Sequence, residues 1–158
     1  MTVGAACAVA QFTMTAAMTS APLHLHRIGV SANAIGVIVS VHMVGMYAFA
    51  PVIAALNKRL SNGPRALMSL SMAVLAAALL SALLNASLAM VVIRLFFVGL
   101  GWSAIQLTTS LVFAAASETG SQRAVRTQGA LDMVISLAGG LGIGFAGILQ
   151  SAAEYHLT

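Results

Sequence analysis

Acidic residues are nearly missing: Glu118, Asp132 and Glu154 are the only three among 158, and charged residues of both signs make up 6% of the chain. Soluble domains carry charge on about a quarter of their residues, so a molecule facing water on all sides is excluded. With 60% hydrophobic residues there is too little polar surface to clothe a globule, and the same richness excludes intrinsic disorder. Cysteine occurs once, at Cys7, which rules out an internal disulfide. No acid lies in the middle of an apolar run, so a carboxylate proton relay has no place here. No nucleophile and base stand at suggestive spacing, and the His24 and His26 pair has no third ligand beside it. The sequence thus points away from an enzyme, a metal centre or a cofactor. Net charge is +4, but the seven cations, Arg27, Lys58, Arg59, Arg65, Arg94, Arg123 and Arg126, are too dispersed to neutralise a nucleic-acid backbone.

What is present is apolar length. Five runs, at about 3–19, 34–56, 66–84, 90–116 and 130–150, approach or exceed the roughly 20 residues that cross a bilayer as a helix. The expected fold is an all-α membrane protein, a five-helix transmembrane bundle making one domain over 1–158, with the lipid bilayer as its solvent. The first run is diluted by Gln11, Thr13, Thr15 and Thr19; no basic residue precedes it, so it reads as a retained helix and not a signal peptide. Pro51 lies inside the second run and is expected to bend it. Residues 20–33 and 117–129 read as loops, and 85–89 as a tight turn between antiparallel helices.

Positive charge sets the expected orientation. Lys58, Arg59 and Arg65 in one connection and Arg123 and Arg126 in another outnumber Arg27 and Arg94 on the opposite side, which predicts a cytoplasmic N-terminus and an external C-terminus in the cell's inner (plasma) membrane. Arg94, near a helix end, reads as an interfacial anchor. Asp132 reads as a helix-end charge or a partner for Arg123 and Arg126. Small residues at Gly99 and Ser103, and at Gly140 and Gly144 with Gly139, Gly142 and Gly147 beside them, mark expected helix-packing positions.

Four stretches, in order, carry a resemblance: Gln11 with the Met-Thr-rich run before Pro22, the segment from His42 to Pro51, the Gly-Leu-Gly-Trp at 99–102, and the Gln-Gly-x-x-Asp from Gln128 to Asp132. Together they resemble the second half of a bacterial major facilitator superfamily transporter, over nearly the whole chain. The resemblance implies that the five spans are the seventh to eleventh helices of a twelve-helix carrier. The family's basic loop pattern, G-x-x-x-D-R-x-G-R, laid over 54–62 is kept only at Arg59; Ala54, Lys58, Ser61 and Asn62 replace the other four positions. Lys58 in place of the acid puts two cations side by side where the family has an ion pair.

Candidate solute contacts are Gln11, His42, Tyr47, Trp102 and Gln106, with Lys58, Arg59, Arg65 and Asp132 as gating or loop residues. His42 lies about 12 Å into its span, where an ionisable group is either a proton-exchanging site or a neutral imidazole bonded to a neighbouring helix. The aromatic and glutamine side chains are compatible with pore lining, with the interfacial belt or with helix pairing. Two functional readings stand. One is a partial secondary transporter for a small solute, completed by a separate N-terminal half or a second copy of itself. The other is a truncated or decayed remnant that at most packs against another subunit. Solute, direction and coupling ion are not encoded in any motif present.

Overall fold

The structure, a computed structural model, describes residues 3–60, 62–81, 87–117 and 122–155. Within them every regular element is an α-helix: α1 Val3–Arg27, α2 Ala32–Tyr47, α3 Ala50–Arg59, α4 Gly63–Leu80, α5 Leu88–Ser117 and α6 Gln122–Tyr155. Because α2 and α3 form one 28-residue stretch, Ala32–Arg59, the six helices make five rods. Four rods among the described residues are both long and apolar enough to cross a membrane. α1 has the length, and the polar residues already noted lower its hydropathy.

Two connections differ from expectation. α1 continues to Arg27 through most of the stretch read as a loop at 20–33, and α6 begins at Gln122, inside the stretch read as a loop at 117–129. Hydropathy marks where a helix lies in hydrocarbon, whereas Ala, Arg and Gln favour helix wherever they stand, including at the headgroups. Of the turn expected at 85–89, residues 85 and 86 lie outside the described residues, and Leu88 and Ala89 already belong to α5.

Local chemistry explains the boundaries. α1 ends at Gly29, whose φ of 81° is left-handed, with Val30 N–H donating to the Leu25 carbonyl (3.0 Å) and Gly29 N–H to that of His26 (3.1 Å). α2 then starts on Ser31, whose hydroxyl accepts from Ala34 N–H at 3.4 Å. The second rod breaks at Ala48 and Phe49, as Pro51 predicts: it stands in the first turn of α3 and has no N–H for the Tyr47 carbonyl. Pro64 plays the same starting role in α4, and a Cβ at Gly63 would collide with the Asn57 carbonyl across the tight α3–α4 turn.

Side-chain contacts fix the direction of each rod. Cys7 meets Thr109 and Gln11 meets Trp102, so α1 and α5 are antiparallel. Gly4 lies against Leu131, Thr15 against Gly139 and Ser20 against Gln150, so α1 and α6 run in parallel. α5 is the hub: it supplies Val98 and Ile105 to one core cluster, Val91 and Leu95 to a second and Ala104 to a third. The alternation places Lys58, Arg59, Arg65 and Arg126 at one end of the bundle and Arg27 and Arg94 at the other. Outward faces are apolar, with Leu141 68% and Ile148 69% exposed on α6, as a lipid-facing surface requires.

Candidate functional site

Spacing on two helices builds a polar seam inside this apolar bundle. Cys7, Gln11 and Thr15 recur at intervals of four on α1, and Trp102, Gln106 and Thr109 at four and three on α5, so each set forms one stripe. The stripes face each other. Trp102 Nε1–H donates to Gln11 Oε1 at 2.8 Å, and one end of the seam is closed by Cys7 Sγ and Thr109 Oγ1 at 3.0 Å. Gln106 is half-buried between these two links. Beyond Gln11 the α1 stripe meets α6: Thr15 Oγ1 donates to the Gly139 carbonyl at 3.0 Å, and farther along Gln150 Nε2 donates to the Ser20 carbonyl at 3.2 Å. The seam carries no charged side chain. It offers amide and hydroxyl hydrogen bonding and the face of an indole, the equipment for holding a polar or aromatic solute by shape and hydrogen bonds.

Of the five expected solute contacts, the structure joins Gln11 to Trp102, sets Gln106 one turn along the same α5 stripe, and leaves two elsewhere. His42 is fully buried at the α2–α5 crossing, its Nδ1 2.6 Å from the Leu95 carbonyl. With a carbonyl as partner, Nδ1 carries the proton, and Nε2 is left buried without a partner among the described residues. His42 therefore clasps two helices and touches no open space. Tyr47 is 64% exposed at the end of α2 and is not among the residues that join α1 to α5.

The expected packing glycines lie in two kinds of surroundings. Gly99 lies under His42, where a Cβ would come within 2.7 Å of its carbonyl oxygen, and Ser103 is buried one turn on. Gly140 and Gly144, in contrast, face open space with nothing within 4 Å. Their neighbours Gly139 and Gly142 make the α1 contact instead: a Cβ at 142 would overlap the Thr15 hydroxyl and lie 2.5 Å from the Phe12 carbonyl oxygen. A four-residue glycine step was legible, but its phase around the helix depends on which neighbour α6 meets. Gly45, against the Phe96 carbonyl, and Gly101, against Leu75, lie in stretches that carry the family resemblance, and the structure adds a close helix approach at each.

Arg94 donates from Nη2 to the Ser81 carbonyl (3.1 Å) and from Nε to its hydroxyl (3.3 Å). It covers the C-terminal carbonyls of α4, where a cation is favoured, at a bundle end as an interfacial anchor would be. Arg94→Gln is expected to lower thermal stability in detergent by about 1–2 kcal/mol. Lys58, Arg59 and Arg65 are exposed at the other end. Asp132 is exposed on α6 and is not placed to pair with Arg126 along that helix: six residues is about 9 Å of rise with the side chains on different faces, while the Arg123 side chain lies outside the described residues. His24 and His26 are exposed, and among the described residues no three His, Cys, Asp or Glu side chains come together to hold a metal.

Compared with known families, the chain matches the Major Facilitator Superfamily over residues 2–158. The chain belongs to that family. Two curated relatives, both from Bacillus subtilis (strain 168), are described as uncharacterized MFS-type transporters. YddS is 31% identical over 150 residues, covering 94% of this chain and 34% of the relative. YdeG is 29% identical over 145 residues, covering 92% of this chain and 33% of the relative. The chain thus spans about a third of the length of the relatives it matches. No solved structure matches it. Family membership and the apolar rods make it a multi-pass membrane protein of transporter type.

Proposed function

We propose that this superfamily member forms part of the path of a secondary transporter for a small solute, with Gln11, Trp102 and Gln106 turned toward that path. The observation that carries the reading is the Trp102 to Gln11 hydrogen bond, which holds two polar side chains, each only partly buried, at membrane depth between α1 and α5. Carriers of this kind bind their solute near the bilayer midplane between two halves that rock against each other. The five rods act as consecutive helices of one half, and further helices, from an N-terminal half or a second copy, enclose the other side. The protein moves its solute without chemically changing it. By the positive-inside rule the end bearing Lys58, Arg59, Arg65 and Arg126 faces the cytoplasm, with the protein in the plasma membrane.

The single native cysteine makes the test direct. In a Cys7→Ser background, Gln106→Cys in cell membranes is expected to react with a membrane-impermeant thiol reagent, while Leu141→Cys on the outer face of α6 stays unlabelled. Equal protection at both positions would remove the seam from any aqueous path and defeat the reading.

A further inference from the structure

α3 and α4 leave their tight turn side by side, with α5 behind them, and enclose an apolar groove of about 180 Å³. Its walls include Val52, Ile53 and Leu56 of α3, Leu67 and Leu70 of α4, and Leu100 of α5. The one hydroxyl on the lining, that of Ser71, is turned to the Leu67 carbonyl at 2.7 Å, so the groove presents almost no hydrogen-bonding group. Three exposed cations stand at one end. Lys58 and Arg59 follow Leu56 by two and three residues, and Arg65 precedes Leu67 by two, distances of about 3–4.5 Å of helix rise. Neither α3 nor α4 contains an Asp or Glu, so the cluster has no carboxylate from its own elements.

We propose that groove and cations together bind one anionic phospholipid, an acyl chain lying along the groove and the phosphate held by Lys58, Arg59 and Arg65. A guanidinium presents paired N–H donors to phosphate oxygens, and basic clusters at membrane-spanning helix ends select anionic headgroups. The other occupants suit the site less well. A further apolar helix laid over the groove would crowd three cations without supplying a counter-charge. A zwitterionic lipid would bring its ammonium into the same positive field. The inference concerns the lipid-facing side of the bundle and does not depend on what the α1–α5 seam does.

The test is native mass spectrometry of the purified full chain in detergent, with equimolar phosphatidylglycerol and phosphatidylcholine of identical acyl chains. The glycerol lipid is expected to be retained about tenfold over the choline lipid. Arg59→Gln should lower that ratio about fivefold, the equivalent of one cation near an anionic headgroup. Arg27→Gln, the same change of net charge at the opposite end, should leave it unchanged. Val52→Trp, at a rim position that is 61% exposed and so tolerant of a larger side chain, should reduce retention of both lipids by filling the groove. Equal retention of the two lipids by the unaltered chain would overturn the proposal. So would an equal effect of the Arg27 and Arg59 changes, undiminished binding by Val52→Trp, or a dimer that excludes lipid altogether.

Discussion

Gly142→Leu is expected to detach α6 from α1, at a cost of about 3 kcal/mol, while Gly140→Leu two positions away is silent within about 0.5 kcal/mol. The difference follows from the two faces of one helix. At 142 even a single added carbon would meet the Phe12 carbonyl oxygen at 2.5 Å and overlap the Thr15 hydroxyl. Carbonyl oxygens of a helix cannot swing aside as a flexible side chain can, so the helices must separate, and Thr15 then loses its 3.0 Å bond to the Gly139 carbonyl. At 140 nothing lies within 4 Å, and a leucine there only enlarges an already apolar outer face. Thermal unfolding of the two variants in the same detergent, followed by the Trp102 fluorescence, separates them. If both variants unfold alike, the α1–α6 contact described here is in the wrong phase.

The second large effect is expected at His42. His42→Ala should destabilise the chain by about 2–4 kcal/mol, because it empties a fully enclosed site at the α2–α5 crossing and removes the 2.6 Å bond to the Leu95 carbonyl. His42→Leu should cost no more than about 1 kcal/mol. It keeps most of the volume, removes a buried Nε2 that has no partner, and leaves the Leu95 carbonyl within its own helix ladder. Denaturation of the two variants side by side reads the ratio of packing to hydrogen bonding. Equal losses would assign the stabilisation to the hydrogen bond and make the imidazole more than a filler between helices.

Much of this architecture was legible because lipid imposes a simple code. The number of rods, the break prepared by Pro51 and the alternation of direction follow from apolar length and a few prolines. Helix ends were less visible: the polar residues of Ser20–Arg27 and Gln122–Gly129 extend helices beyond hydrocarbon, where hydropathy has no further information. The seam was half legible. Gln11, Trp102 and Gln106 stand out as polar groups at membrane depth, but nothing in the sequence pairs Cys7 with Thr109, which only the antiparallel register brings to 3.0 Å. His42 and Tyr47 show the limit most clearly. They belong to one helix and similar chemistry, and only the neighbour each meets decides that one is sealed against α5 and the other faces outward.

The central place of α5 bears on how the chain assembles during synthesis. The rods made before it, α1, the α2–α3 pair and α4, touch one another only lightly, and each of the three core clusters is completed by a residue from α5. Emerging from the ribosome, these rods hold few contacts with one another until α5 joins them. Their mutual docking then waits for α5, and a nascent chain arrested before Leu88 is expected to be cut by protease faster than one arrested after Ser117.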